Sequence, residues 1–255
     1  MIQVTFLRDF CATQNGDGYD AGEIATLSDD FANQLIAYRI AKPLTQPAPL
    51  KPYEVGCSNK WDFNVGLNDL KGTNNLTNYG ATQNTGYYTF DGTDDYMTGS
   101  GPVSLSTAFS IEFIANISAT QMSIPLPPFL FGDYDDTHGR YWAIRIESNA
   151  LYILEITTGA PSTFTTPTIP NTATHFGITS DGATVRLYVN GVNTYSSSVN
   201  MLSVAPLTAF TIGAYLGNIS ETATACDLYL TRIFANTALT SGQVLNNYNA
   251  ESWRI

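Results

Sequence analysis

Between Thr184 and Val192 apolar and polar positions alternate, with Val185, Leu187 and Val189 set against Arg186 and Tyr188. A period of two is that of a strand with one buried face. Asn190-Gly191 follows at once, the dipeptide that best tolerates the positive φ of a tight hairpin, so a return strand is predicted from Val192. Arg140–Ile146 and Leu151–Ile156 flank Glu147–Ala150 and predict a second hairpin. Phe176–Thr179 and the strand from Thr184 flank Asp181-Gly182 and predict a third. Only Ser241–Tyr248 has a helical rhythm, enough for one or two turns. Beyond Pro52 the chain therefore reads as short strands separated by turns, the pattern of a β sandwich or jelly roll.

The first 44 residues read differently. Gln3–Leu7 alternates like a strand, Asn15–Gly22 is rich in turn residues, and Glu23–Leu27 reads as a second short strand. Ser28 is a good helix N-cap, and Asp29 and Asp30 would lie in the first turn, where the helix dipole favours them. Phe31, Leu35, Ile36 and Ile40 would share one face of that helix, and Lys42-Pro43 would stop it. Four prolines at 43, 47, 49 and 52 then favour extended backbone. The expected organisation is a small β-β-α unit over 1–44, a proline-rich spacer over 45–52 and a sandwich over 53–255. The alternative for the spacer is a crossing packed on the sandwich surface. A β-β-α unit this small buries too little apolar surface to stand comfortably alone.

Composition narrows the function. Of 255 residues 44% are hydrophobic and 13% charged, so a substantial core is available. A net charge of -11 and a pI near 4.3 exclude the basic footprint of a nucleic-acid binder. No apolar run approaches the ~20 residues of a membrane helix, and Arg8 and Asp9 arrive too early for a secretory signal. Cys11, Cys57 and Cys226 are odd in number and form no CxxC pair. Three reduced thiols in a cytosol-made chain are expected, with an intermolecular or 57–226 disulfide as the alternative.

The order of Trp61–Phe63, Phe90-Asp91-Gly92 with Asp95-Tyr96, Phe109–Ile117, Thr184–Val192, Phe210–Gly213 and Leu230–Phe234 resembles the concanavalin A-like jelly rolls of the laminin-G type. The match runs from about Tyr53 to Trp253, and it implies a mainly β jelly-roll sandwich used for recognition or display. One departure stands out. The strand at Tyr229–Phe234 lacks the acidic residue that often starts it in relatives, with Tyr229 in its place, which weakens the case for a cation site there. Within the N-terminal unit, Gly18, Tyr19, Gly22, Glu23, Asp29, Ala32, Leu35, Ile36 and Ala41 resemble short units of tailed-phage structural proteins.

Glucanases share the jelly roll, and as retaining hydrolases they set two carboxylates ~5–5.5 Å apart on one strand face. That requires an E-x-D-x-E-like run, which this chain lacks. Glu112 and Glu155 each stand alone between apolar neighbours and are expected to face solvent. His138 and His175 share no metal-ligand spacing and are expected at the surface or in hydrogen bonds. No catalytic residue is assigned, and an enzyme is not expected. Asp91, Asp94 and Asp95, and Asp133, Asp135 and Asp136, offer oxygens of the kind calcium takes, yet Asp is also a common turn residue. No cofactor is otherwise expected.

Tyrosines at 87, 88, 96, 134, 141, 188, 195 and 215, with Trp142, make the sandwich aromatic-rich. Such rings either stack on a sugar or straddle core and surface. Together with the resemblances, these features imply a tailed-phage virion protein, made in the host cytoplasm and placed on the capsid surface. The expected role is capsid decoration, as a cement or head-fibre protein bound to the major capsid protein. Phe31, Leu35, Ile36 and Ile40 are the expected capsid or self-association residues, with the unit's own core as the alternative, and a homo-oligomer, specifically a trimer, is the expected assembly. The alternatives are an adhesion module that binds a cell-surface glycan and, less supported, a glycan hydrolase.

Overall fold

The computed structural model describes residues 2–6, 10–11, 18–19, 24–27, 41–43, 50–117, 129–135, 140–147, 150–156, 172–198 and 210–255. The chain divides into two compact units, Met1–Leu50 and Lys51–Ile255. In the first, β1 (Ile2–Phe6) lies between β4 (Ile24–Leu27) and β5 (Ala41–Pro43), antiparallel to both. β2 (Phe10–Cys11) and β3 (Gly18–Tyr19) form a separate two-stranded ribbon. The two strands read from the sequence are present as β1 and β4. β5 was not foreseen, because Pro43 cannot donate to a ladder; the sheet accommodates it on an edge strand, opposite Val4. The helix expected from Ser28, with Phe31, Leu35, Ile36 and Ile40, lies outside the described residues.

The second unit is a β sandwich. Its smaller sheet has six strands in the order β14-β13-β12-β18-β10-β7. These are β7 (Leu76–Tyr79), β10 (Tyr96–Gly99), β12 (Phe129–Asp135), β13 (Arg140–Glu147), β14 (Ala150–Ile156) and β18 (Thr211–Ile212). The larger sheet runs β17-β16-β15-β11-β19-β9-β8, and β6 also pairs with β19. Its members are β6 (Asn59–Asp62), β8 (Thr82–Gln83), β9 (Tyr88–Asp91), β11 (Ala108–Ile117), β15 (Thr174–Asp181), β16 (Thr184–Val189), β17 (Val192–Ser198) and β19 (Ala225–Phe234). All described pairings in both sheets are antiparallel. The three predicted hairpins are present, and Asn190, Gly191 and Gly182 take the positive φ their turns demand (49°, 76° and 91°).

Alternation fills the space between the sheets. Phe109, Ile111, Phe113, Ala115 and Ile117 of β11 meet Phe131, Ile144, Ile146, Phe210 and Ile212 in one core. Trp61 stacks on Phe210 (5.1 Å), while its indole N–H donates to Asn74 O at 2.8 Å and so avoids a buried unpaired donor. Each fully buried large side chain contributes roughly 1.5–3 kcal/mol. A bulge breaks the rhythm of β19. Ile114 is opposite Leu230 but Ala115 is opposite Leu228, so Tyr229 is the extra residue and the strand changes phase there.

Among the described residues two α-helices complete the unit: α1 (Ile219–Thr222) and α2 (Ser241–Glu251). α2 has eleven residues, three turns rather than the one or two expected. Its start is a capping box, with Gln243 N–H donating to Thr240 Oγ1 and the Gln243 side chain accepting from Thr240 N–H. The helix buries Val244, Asn247 and Glu251. Two of those three are polar, so the inner face carries no apolar stripe that periodicity could extend past Tyr248. Gly177 permits the helix to lie on the sheet, since a Cβ there would stand 3.0 Å from Val244 Cγ1.

Candidate functional site

The outward side of the larger sheet has a covered half and an open half. Under α2 lie Glu112, His175 and Arg232, all fully buried. Asn247 clasps this region. Its Nδ2 donates to Glu112 Oε2 (2.6 Å) and Tyr53 O (3.2 Å), and its Oδ1 accepts from Tyr53 N–H. Arg232 pairs with Glu251, and Arg254 holds Asp62 with two nitrogens (2.6 and 3.1 Å) and Glu251 with its Nε (2.7 Å). Lys60 and Lys71 both reach Glu54, at 2.6 and 2.7 Å. Burial pushes the Glu54 carboxyl up, but bonds from the two lysines and the nearby Arg232 charge outweigh it and hold it at about 2.

This corrects two expectations. Glu112 does not face solvent, and His175 is not a surface residue, because α2 covers the sheet face on which they stand. His175 Nε2 lies 3.6 Å from Glu112 Oε1, and neither nitrogen of the ring has a hydrogen-bond partner. A carboxylate sealed in this way fastens a helix and cannot attack a substrate. Glu155 lies on β14 opposite Trp142, on the other sheet. His138 lies outside the described residues.

The open half is built by four strands in register. Thr82 of β8 faces Thr89 of β9, Thr89 faces Asp227 of β19, and Asp227 faces Asn116 of β11. Three of them alternate with core residues on their own strands, Thr89 between Tyr88 and Phe90, Asp227 between Cys226 and Leu228, and Asn116 between Ala115 and Ile117. The row is hydrogen-bonded along its length. Asn84 Nδ2 donates to Thr82 O (3.2 Å) and Thr89 Oγ1 (3.0 Å), Thr89 donates to Asp227 Oδ1 (2.6 Å), and Asn116 Nδ2 reaches Asp227 Oδ2 (3.4 Å). Beside it the rings of Tyr87 and Tyr229 meet at 4.9 Å. Burial, with Asp227 and Tyr87 nearby, raises the Tyr229 hydroxyl above its ordinary range, so it stays protonated. Asn84 also lines an adjoining open groove with Asn64, Gln83, Thr85 and Gly86. Six half-buried side chains, Asn84, Tyr87, Thr89, Asn116, Asp227 and Tyr229, thus form one polar and aromatic patch.

Asp227 changes the sequence picture. β19 begins at Ala225, not at Tyr229, so the strand does contain an acid. The bulge at Tyr229 hid it by breaking the alternation. The signal available was Asp227 between two apolar residues; which residues flank it in space depends on strand pairing.

The two aspartate clusters separate. Asp91, Asp94 and Asp95 do come together, with carboxylate oxygens within 4.8 Å of one another. Their bonds are those of a turn: Asp91 accepts from Thr93 N–H (2.7 Å) and Asp95 from Asp91 N–H (2.8 Å). Burial raises the Asp95 carboxyl above its ordinary value, with the charges of Asp91 and Asp94 adding to the effect. Asp133 and Asp135 are not turn residues but strand residues of β12, opposite Trp142 and Arg140, and Asp136 lies outside the described residues. On the smaller sheet, Tyr79 of edge strand β7 stacks on Tyr96 of β10 at 4.6 Å and is 45% exposed, offering a second aromatic surface. Cys57 and Cys226 are free, and burial pushes the Cys57 thiol up to about 11 and the Cys226 thiol higher.

Residues 91–245 match the laminin G type 3 model of the concanavalin A-like lectin/glucanases superfamily. The chain belongs to this family. No curated protein matches the sequence. Among solved structures, the receptor binding domain of botulinum neurotoxin C/D mosaic serotype superposes with a TM-score of 0.63 at 14% identity, over 78% of this chain and 52% of that one. The botulinum neurotoxin serotype G binding domain gives 0.61 at 16%, over 77% and 51%. Domain 4 of AbnA, an extracellular arabinanase from Geobacillus stearothermophilus, solved in complex with arabinotriose, gives 0.56 at 16%, over 75% and 98%. The chain spans about half the length of the toxin domains it matches. At these identities the likeness is one of fold, and the lectin/glucanase sandwich is the shared element.

Proposed function

We propose that this chain is a non-catalytic recognition protein whose sandwich binds a glycan. The observation that carries the reading is the open patch, where two tyrosine rings adjoin a row of amide, hydroxyl and carboxylate groups. Sugars need both surfaces, a ring face for their C–H groups and acceptors for their hydroxyls. Hydrolysis needs paired carboxylates facing one cleft, and Glu112 is instead sealed beneath α2. In its finer form the reading is a tailed-phage virion protein that decorates the capsid. Residues 1–44 bind the major capsid protein and one another through Phe31, Leu35, Ile36 and Ile40, most simply as a trimer.

A second reading, an adhesion module for a host-cell glycan on a tail fibre, is favoured by the likeness to toxin receptor-binding and arabinotriose-bound domains. A glycan array probed with the full chain tests recognition, with signal that falls on Tyr229→Ala as the expected result. Antibody labelling of virions then separates head from tail. Labelled tails would replace decoration by adhesion, and unlabelled virions would remove the viral setting.

A further inference from the structure

We infer that the patch on the larger sheet selects neutral, hydroxyl-rich glycans and rejects anionic ones, with Asp227 as the selecting group. The inference rests on the glycan-recognition reading and narrows its ligand.

Both Asn84 amide protons are engaged, on Thr82 O and Thr89 Oγ1, so Asn84 presents only its carbonyl oxygen outward. The Thr89 proton is spent on Asp227. Each Asp227 oxygen receives one protein donor, which leaves further lone pairs on a charged group. Asn116 Oδ1 has no protein partner but is buried, so it adds no acceptor at the surface. The centre of the patch is therefore the Asn84 carbonyl beside one negative charge, which favours a ligand that arrives as a donor, with the Tyr87 and Tyr229 hydroxyls at its edge. Sugar hydroxyls do so, and charge-assisted bonds to a carboxylate are among the stronger ones available to them.

Among the described residues, an anionic sugar would instead meet Asp227 with no cation paired to it. Of the described basic residues, Lys60 and Lys71 are paired with Glu54, Arg232 with Glu251, Arg254 with Asp62 and Glu251, and Arg186 with Asp181. The net charge of -11 adds long-range repulsion. Tyr87 and Tyr229 contribute ring faces and hydroxyls, so discrimination by charge falls to the carboxylate.

Calorimetric titration of the full chain with arabinotriose, maltotriose and cellotriose, against trigalacturonate and 3′-sialyllactose, tests this. Binding is expected within the neutral series alone. Asp227→Asn should weaken it about tenfold or more, as loss of a charged hydrogen-bond acceptor does, and should narrow the gap to the acidic sugars. Tyr229→Ala should weaken the neutral series while leaving that gap intact. Circular dichroism on each variant confirms that the sandwich is folded, and Asp227→Asn keeps the shape of the side chain. Equal or tighter binding of acidic sugars would overturn the selectivity and leave glycan recognition standing. Neutral binding untouched by both substitutions would place the ligand elsewhere and overturn the assignment. Failure of both series to bind at millimolar sugar would remove the glycan reading and the inference together.

Discussion

The two halves of the outward face of the larger sheet are written in the same code and do opposite things. In both, polar residues alternate with core residues along β11 and β19: Glu112 and Arg232 in one half, Asn116 and Asp227 in the other. The first pair is fully buried under α2, and the second is half exposed. Burial converts the first into structure, since a desolvated charge must be matched or it destabilises the fold. Exposure leaves the second free to exchange protein partners for ligand. A strand's alternation therefore marks two faces but does not say which stretch of the outer face becomes a site; the element laid across it decides.

The contrast can be broken most severely at Arg232. Arg232→Ala would leave Glu112 in a dry interior with no guanidinium beside it and Glu251 with Arg254 alone, and a loss of about 3–5 kcal/mol is expected. Urea unfolding measures it, and a loss below about 1 kcal/mol would mean that the network is not sealed. Gly177→Ala comes next. The new methyl would press on Val244, and lifting α2 should cost about 1–3 kcal/mol by the same assay. A neutral result would show that α2 is held more loosely than its contact with Gly177 implies. Thr240→Ala removes the capping box and should cost about 1 kcal/mol, with sugar binding unchanged because the cap is remote from Asp227.

The smallest effect appears only in acid. Glu54 is held at about 2, below its ordinary value of 4.5, so its contribution is complete above about 4.5 and is lost as the pH falls towards about 2. Asp69 acts in the same direction, because backbone N–H groups of Lys60, Lys71 and Gly72 and the Asn59 amide outweigh its burial. Glu54→Gln should therefore flatten part, not all, of the fall in unfolding midpoint between pH 5 and pH 2.5. Identical slopes for variant and parent would show that the lysine pairs contribute nothing.

Much of the sandwich was legible in the sequence. Asn190-Gly191 and Asp181-Gly182 named their hairpins because a positive φ is a local requirement that few residues meet. The site was less legible, for two physical reasons. Tyr229 sits in a bulge, so the alternation that would have assigned Asp227 to the outer face is interrupted two residues later. Glu112 resembled any lone acid on a half-exposed strand, and its fate depended on α2, whose inward Asn247 and Glu251 look like solvent residues until their partners are known. Local turn chemistry can be read from neighbours in sequence, whereas coverage of a sheet face is a long-range property.

The clasp between Tyr53 and Asn247, joined by the bond from Asn246 Nδ2 to Lys51 O, brings entry and exit of the second unit to one spot. Topologically the sandwich is close to a closed ring. Such a ring can be spliced into a loop of an unrelated host protein with little distortion of either, and it can be reopened elsewhere, for instance at the exposed Asp181–Gly182 turn, with its old ends sewn together. The patch around Asp227 would travel with it unchanged. What the fold has produced is a cassette, and its place of attachment can be chosen independently of what it recognises.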